Sequence, residues 1–148
     1  MHVRLATEDD LDEVLAMTRE CMAEVRPWLE YDEAASRDTF QRYLDTAEPT
    51  IFVAGQDGAL VGIVVASILQ YRTASGLFVL HEVLFVRPGA RGTRAAASLM
   101  KHLVAWSEML GAKEIVGGND SGMKSEKVAR FLSNFGFEQV GYSMRRVI

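Results

Sequence analysis

The sequence contains one cysteine, which excludes a disulfide framework or a cysteine-based metal cluster within one chain. Cys21 lies in a stretch with helical periodicity, where a small buried hydrophobic side chain is favoured over a reactive thiol. No run approaches about eighteen apolar residues, and the N-terminus is acidic where a signal peptide would be apolar. We therefore expect a soluble, cytoplasmic protein with no membrane partner and no metal.

Basic residues are scarce in the first part of the chain. Residues 1–57 contain 14 Asp and Glu against 5 Lys and Arg, whereas residues 58–148 contain 6 against 11, for a net charge of −4. A cationic ligand would suit the first part and a polyanionic ligand the second. The acidic total disfavours double-stranded nucleic acid as a partner, because neutralising phosphates requires a basic face.

Hydrophobic periodicity predicts one domain, residues 1–148, that is large enough for a sizeable core. In order it contains a strand, two helices, three strands, a long helix, a strand, a short helix and a final strand. Their expected bounds are 2–6, 8–25, 32–46, 50–54, 60–70, 77–86, 93–110, 113–116, 124–134 and 137–147. This order, β-α-α-β-β-β-α-β-α-β, predicts an α/β fold with a mixed sheet covered by helices.

The stretch 83–96 is the most informative part of the sequence. A buried strand leads through a glycine-containing loop directly onto a helix N-terminus, where backbone N–H groups lack partners and the helix dipole favours anions. Small side chains at Gly92, Ala95 and Ala96 let a ligand approach the backbone, and Arg91 can add charge-assisted hydrogen bonds to a pyrophosphate. The alternative is a simple turn from strand to helix.

The stretch from Val86 to Ala96 resembles the acetyl-CoA motif of the GCN5-related N-acetyltransferase (GNAT) superfamily, Val-x-Pro-x-x-Arg-Gly-x-Gly-x-Gly/Ala. The predicted element order is similar over essentially the whole chain, and the segment 136–141 resembles the family's Gly-Phe-x-x-x-Gly after the last helix. The resemblance implies a mostly antiparallel central sheet. It departs from the family at Arg94, where the usual residue is glycine.

The resemblance also implies where acetyl-CoA binds. Backbone amides after the arginine would hold the pyrophosphate, and the exposed backbone of a splayed strand would pair with the pantetheine arm. The implied cofactor-binding residues are Leu84, Phe85, Val86, Arg91, Gly92, Thr93, Arg94, Ala95 and Ala96. Arg94 would crowd the loop unless its side chain points outward, where it can reach the ribose phosphate.

Glu82 is the candidate general base. Amine acylation requires a group that removes a proton from the ammonium acceptor. Glu82 interrupts an apolar strand and stands four residues before Val86, where many relatives have a glutamate in this role. The alternative is a structural carboxylate paired with an arginine or a strand neighbour. His81 is the reserve candidate, although strand alternation places its side chain on the opposite face.

The general acid has no clear candidate. Relatives often have a tyrosine four residues before the glycine that follows the last helix, and that position is Leu132 here. Tyr142, Ser133 or an ordered water are substitutes that no spacing supports, and CoA leaving as an unassisted thiolate is another alternative.

Three residues are candidates for contact with the acceptor. Trp28 and Tyr31 lie in the aromatic and acidic connection between the first two helices, where they can stack on a cationic amine. Asn119, or its neighbour Asp120, lies in a loop close to where the family opens its active site. Packing of Trp28 and ordinary turn chemistry in the loop are the alternatives.

The leading hypothesis is an acetyl-CoA-dependent N-acetyltransferase, an acyltransferase acting on a primary amine of a small molecule or a protein. The alternative is a GNAT-like module that binds CoA or another nucleotide without catalysis. A nucleic-acid-associated relative is a third hypothesis, since five arginines can group on one face: Arg87, Arg91, Arg94, Arg145 and Arg146. The oligomeric state stays open, a homodimer included.

Overall fold

The computed structural model describes residues 1–118, 121–122 and 124–148. A five-stranded sheet with strand order β1-β2-β3-β4-β5 is flanked by four helices. Neighbouring strands are antiparallel except for the parallel pair β4 and β5. The bounds are β1 His2–Leu5, α1 Leu11–Val25, α2 Glu33–Thr46, β2 Thr50–Gln56, β3 Ala59–Gln70, β4 Leu77–Val86, α3 Ala95–Met109, β5 Ile115–Gly117 and α4 Ser125–Ser133. The predicted mixed, mostly antiparallel fold is confirmed.

The side chains of the central strands point alternately into two apolar layers, one on each face of the sheet. On one face of the sheet, Phe52, Val64 and Val79 pack with residues of α3 such as Leu99 and Leu103. On the other face, Val53, Ile63 and Phe85 pack with Val14 and Met17 of α1. Because successive residues of a strand point to opposite faces, β2, β3 and β4 supply both layers and read as continuous apolar runs.

The start of the first helix is tied to the sheet by Asp10, which is buried. Its carboxylate accepts two hydrogen bonds from the Arg4 guanidinium, at 2.6 and 2.9 Å, and one from the Thr7 N–H at 2.7 Å. The hydrogen bonds from Arg4, followed by that from Thr7, hold the pKa of Asp10 below its ordinary value. The acidic turn after β1 therefore anchors α1 rather than forming a solvated face.

The predicted final strand, residues 137–147, is wrong in this structure, since residues 137–148 contain no helix or strand. The alternation of apolar residues was typical of a strand, but these side chains stay in solvent: Val140 is 88% exposed and Met144 is 90% exposed. The segment instead reaches the connection between α1 and α2, where the Arg145 guanidinium lies 4.5 Å from the centre of the Trp28 ring. A strand requires a paired neighbour, and no strand pairing is formed by this segment with the described residues.

Within the described residues, no helix has the length and apolar character needed to cross a membrane.

Candidate active site

The sheet opens between β4 and β5. The two strands pair only through Val79 with Ile115, Leu80 with Val116 and His81 with Gly117. Beyond His81, residues 83–86 pair with β3 alone among the described strands. The backbone edge of Leu84, Phe85 and Val86 that faces away from β3 is therefore covered by no described strand, as expected for a splayed strand, although the Val86 carbonyl accepts a hydrogen bond from Arg91.

Gly117 marks the point where the strands separate. A Cβ atom on this residue would lie 2.5 Å from the His81 carbonyl oxygen and 2.7 Å from the His81 Cβ. Only glycine allows β5 to come this close to β4 before diverging from it. Gly117 is a residue of the site that sequence reasoning did not single out, although it lies in the Gly117-Gly118 pair that ends the strand.

A β-bulge places Glu82 beside the opening. Val83 pairs with Val65 and His81 pairs with Ala66, so Glu82 is an extra residue in β4 with no partner in register. Its Oε1 accepts a hydrogen bond from the buried Ser67 hydroxyl at 2.9 Å. The side chain of Glu82 is exposed even though it interrupts an apolar strand. Ser67 therefore fixes a solvent-accessible carboxylate at the mouth of the cleft.

His81 lies on the other face of the sheet, as strand alternation predicted. It is opposite Ala66, which packs in the layer formed with α3, and only 6% of its surface is exposed. Neither Nδ1 nor Nε2 has a hydrogen-bond partner among the described residues. Burial lowers the pKa of His81 to about 4, so the imidazole is neutral at pH 7 and keeps one N–H donor and one acceptor.

The opening continues into a cleft of about 940 Å³ bounded by α4 and the C-terminal segment. Three of its lining residues are carboxylates, Glu82, Glu126 and Glu138, and among the described residues no Lys or Arg lines it. Leu132, at the position where relatives often have a tyrosine, is buried in the wall. The main lining residues are Leu80, His81, Glu82, Gly117, Gly118, Ser125, Glu126, Leu132, Phe137, Glu138, Gln139 and Tyr142.

The loop from β4 to α3 presents unpaired backbone donors. The N–H groups of Gly92, Arg94 and Ala96 make no hydrogen bond to described residues, whereas Thr93 N–H donates to the Ala90 carbonyl at 3.3 Å. Gly92 has a φ of +83°, and a Cβ on it would meet no atom within 4 Å. Glycine is therefore favoured here by backbone conformation, and the space beside it is open to a ligand. These donors fit a pyrophosphate.

The three arginines of this loop differ in their partners. Arg87 pairs with Glu13 at 2.8 Å and Glu20 at 3.3 Å, both in α1. Arg91 pairs with Glu24 of the same helix at 2.6 Å, and its Nε donates to the Val86 carbonyl at 3.0 Å. No partner is found for the exposed Arg94 side chain within the described part of the chain. The guanidinium predicted to contact the pyrophosphate is thus engaged in holding the loop to α1.

Two of the candidate acceptor residues, Trp28 and Tyr31, lie apart from this cleft. The Arg145 guanidinium lies over the Trp28 ring, which stays 47% exposed. The Tyr31 hydroxyl donates to the Leu15 carbonyl at 3.4 Å, and Arg19 lies over the Tyr31 ring at 5.4 Å. Neither aromatic residue lines the cleft. Of the substitute acids, Tyr142 lines the cleft and is 88% exposed, whereas the Ser133 hydroxyl donates to the Arg130 carbonyl. Asn119 and Asp120 fall outside the described residues.

The chain thus combines a splayed pair of strands, a loop with open backbone donors before a helix, and a carboxylate on a bulge. The family model for the acetyltransferase (GNAT) family matches residues 11–137. The chain belongs to this family of acetyltransferases, which use acetyl-CoA as the acetyl donor. In the described residues, no cluster of His, Cys, Asp or Glu is suited to a metal ion.

Solved structures support the same fold. A transcriptional regulator from Bacillus halodurans C-125 is 19% identical, with a TM-score of 0.83 and coverage of 99% of each chain. A ribosomal-protein-alanine N-acetyltransferase from Brucella melitensis is 18% identical, with a TM-score of 0.74, covering 100% of this chain and 99% of that one. AAC(6')-Iy, in complex with the bisubstrate analogue CoA-S-monomethyl-acetylneamine, is 20% identical, with a TM-score of 0.76 and coverage of 99% and 98%. No curated protein sequence matches the chain.

Proposed function

We propose that this protein transfers the acetyl group of acetyl-CoA to a primary amine of a small molecule or a protein. The observation that carries the proposal is the cleft beside β4, where three carboxylates line the wall and no Lys or Arg of the described residues does. Such a surface attracts a cationic ammonium group and repels an anionic acceptor. Two structures with the same fold are an N-acetyltransferase and an enzyme with a CoA-aminoglycoside analogue bound, which agrees with an amine acceptor.

The loop and the open strand edge hold the donor in this proposal. The free N–H groups of Gly92, Arg94 and Ala96 bind the pyrophosphate, and the open backbone of Leu84 and the N–H of Val86 pair with the pantetheine arm. Arg91 acts differently from the initial expectation: because it ties Val86 to Glu24, it sets the position of the loop while the backbone binds the anion. Thr93 and Ala95 complete the turn, through a hydrogen bond of 3.3 Å from the Ala95 N–H to the Thr93 hydroxyl oxygen.

Glu82 removes the proton from the acceptor. The lone pair of the resulting neutral amine forms a bond to the thioester carbon, the carbon–sulfur bond breaks, and the thiolate receives the proton that the nitrogen loses. Ser67 orients the Glu82 carboxylate without neutralising it, because a hydroxyl donor leaves the negative charge in place. Leu132 cannot donate a proton, so the proton that the nitrogen loses reaches the thiolate directly or through solvent, and Glu82 releases the proton that it took from the ammonium to solvent.

A module that binds CoA without catalysis is the second candidate, and the buried Leu132 is the observation that favours it. Thiol release, measured together with the binding of acetyl-CoA, separates the two hypotheses. Binding of acetyl-CoA to the folded state raises the melting temperature under both. Release of free thiol with a panel of primary amines, with matched alcohols and carboxylic acids as controls, is expected only for the enzyme. Stabilisation by acetyl-CoA without thiol release from any amine would favour the binding module.

A further inference from the structure

The His81 imidazole is a buried polar group with no partner in the described chain. Both of its ring nitrogens are unpaired, and only 6% of the residue is exposed. A buried donor or acceptor without a partner is costly, so most such groups in folded proteins are hydrogen-bonded. His81 also lines the cleft, at the last paired position before β4 and β5 separate. The residue therefore lies in the wall beside the space that a bound molecule would occupy, with both ring nitrogens buried and still without a partner.

The position of the His81 ring indicates which of the two reactants it contacts. Glu82 lies with Ser67 at the mouth of the cleft, where the acceptor amine enters. His81 lies on the face packed against α3, whose N-terminus adjoins the phosphate-binding loop. Two consecutive residues of β4 thus serve the two reactants from opposite faces of the sheet, and the histidine is on the side of the donor.

We propose that the His81 N–H donates a hydrogen bond to the carbonyl oxygen of the acetyl thioester and stabilises the negative charge that develops there when the amine attacks. This inference rests on the proposed function. The ring acts as a donor only, since proton transfer is left to Glu82 and the leaving thiolate. A neutral imidazole is suited to this role because it donates without adding a second positive charge that would repel the ammonium acceptor.

Two ligands that differ at the carbonyl oxygen test the proposed hydrogen bond. S-ethyl-CoA has the size of acetyl-CoA and lacks only the carbonyl oxygen. Calorimetry on the wild-type protein is expected to show acetyl-CoA binding roughly five-fold more tightly, the worth of one net hydrogen bond. In His81→Phe, which keeps an aromatic ring and removes both nitrogens, this ratio is expected to fall to one, and kcat to fall about 10²-fold or more.

His102→Phe is the matched control. This histidine packs against Phe52 on the same face of the sheet, with ring centres 4.6 Å apart, and does not line the cleft. The variant is expected to keep the wild-type ratio. A ratio that is unchanged in His81→Phe would overturn the proposal, whereas failure of the wild-type protein to bind acetyl-CoA at all would overturn the proposed function instead.

Nuclear magnetic resonance of ¹⁵N-labelled histidine provides a readout that requires neither turnover nor a folded variant. One ring N–H of His81 is expected to shift downfield on addition of acetyl-CoA and to respond less to S-ethyl-CoA. Identical spectra with the two ligands would contradict the hydrogen bond. If His81→Phe does not fold, His81→Gln retains a donor and is expected to keep part of the ratio, and a ratio of one in that folded variant would also count against the proposal.

Discussion

The loop from β4 to α3 and the cleft beside β4 differ in which of their polar groups have partners within the described chain. In the loop the charged side chains are satisfied by α1, as in the pairs Arg87 with Glu13 and Arg91 with Glu24, while backbone donors stay open. In the cleft the backbone of β4 is paired with β5 up to His81, the Glu82 carboxylate is exposed at the opening, and the His81 ring is buried in the wall. Under the proposed function, the loop binds the donor through its backbone, and the cleft reacts through side chains.

The ion pairs between the loop and α1 also account for part of the uneven charge distribution along the chain. The acidic first part and the basic second part suggested one surface for a cation and another for a polyanion. In the structure, three glutamates of α1 form ion pairs with Arg87 and Arg91, so part of the charge difference between the two parts of the chain is balanced by contacts between them. The acidic surface of the cleft comes instead from the second part of the chain, through Glu82, Glu126 and Glu138. Net charge by segment did not identify the reactive surface.

The largest expected effect is on the cleft. Glu82→Gln removes the base but is nearly isosteric and can still accept from Ser67, so the fold and acetyl-CoA affinity are expected to stay unchanged. The kcat/KM is expected to fall by about 10²- to 10⁴-fold at neutral pH, the usual worth of general base catalysis, and to recover partly at high pH where more amine is neutral. Steady-state rates across pH, with the melting temperature, measure both.

Ser67→Ala is the matched variant for this prediction, because it removes the hydrogen bond to Glu82 and leaves the carboxylate. It is expected to reduce kcat/KM by less than Glu82→Gln and to keep the acidic limb of the pH–rate profile. Full activity in a destabilised Glu82→Gln variant would assign the carboxylate a structural role.

The next effect is a loss of stability in acid caused by His81. Its pKa is lowered from an ordinary 6.5 to about 4, so the unfolded chain takes up a proton at a higher pH than the folded one. The stability is therefore complete above about pH 6.5 and is lost as the pH falls toward 4, by at most on the order of 3 kcal/mol at 1.36 kcal/mol for each pKa unit. Urea unfolding at pH 7 and pH 4.5 measures this loss.

His81→Phe is expected to remove this component and to raise stability at pH 7, since it replaces an unpartnered buried polar ring with an apolar one. Asp10 does not confound the test. Its folded pKa is lowered by Arg4, so its contribution is lost only as the pH falls below its unfolded value of 3.8. A variant as acid-sensitive as the wild-type protein would show that other groups cause the loss.

Local sequence patterns predicted the loop better than the cleft. The strand, the glycine and the helix that form the loop are contiguous, so periodicity and turn residues placed them within a few residues of the observed bounds. Glu82 and the open edge of Leu84 to Val86 came from the family resemblance and from their position in β4. The bulge at Glu82 and the unpaired nitrogens of His81 depend on pairing with Ala66 and Gly117, which lie far away in the sequence.

The C-terminal segment is a second case in which long-range pairing could not be predicted from the local sequence. Alternating apolar residues between 137 and 147 predicted a strand, because the sequence does not reveal whether a partner edge is available. The contact of Arg145 with Trp28 joins two segments more than a hundred residues apart, and it places a guanidinium over the ring that was expected to meet the acceptor. Contacts of this kind follow from tertiary packing, which local periodicity does not encode.

The smallest of the expected effects tests the loop. Gly92→Asp places a carboxylate beside the open N–H groups of Gly92 and Arg94, where it both accepts their hydrogen bonds and repels the pyrophosphate. The dissociation constant for CoA is expected to rise at least about tenfold, measured by calorimetry. A φ of +83° also strains any residue other than glycine, so the melting temperature of the variant must be measured alongside.

Gly89→Asp adds the same charge to the same loop, at a glycine that also faces open space but precedes Arg91, and a clearly smaller loss is expected there. If the folded Gly92→Asp variant bound CoA as tightly as the wild-type protein, the pyrophosphate would have to be held elsewhere, and the contrast between a backbone-binding loop and a side-chain-reactive cleft would fail.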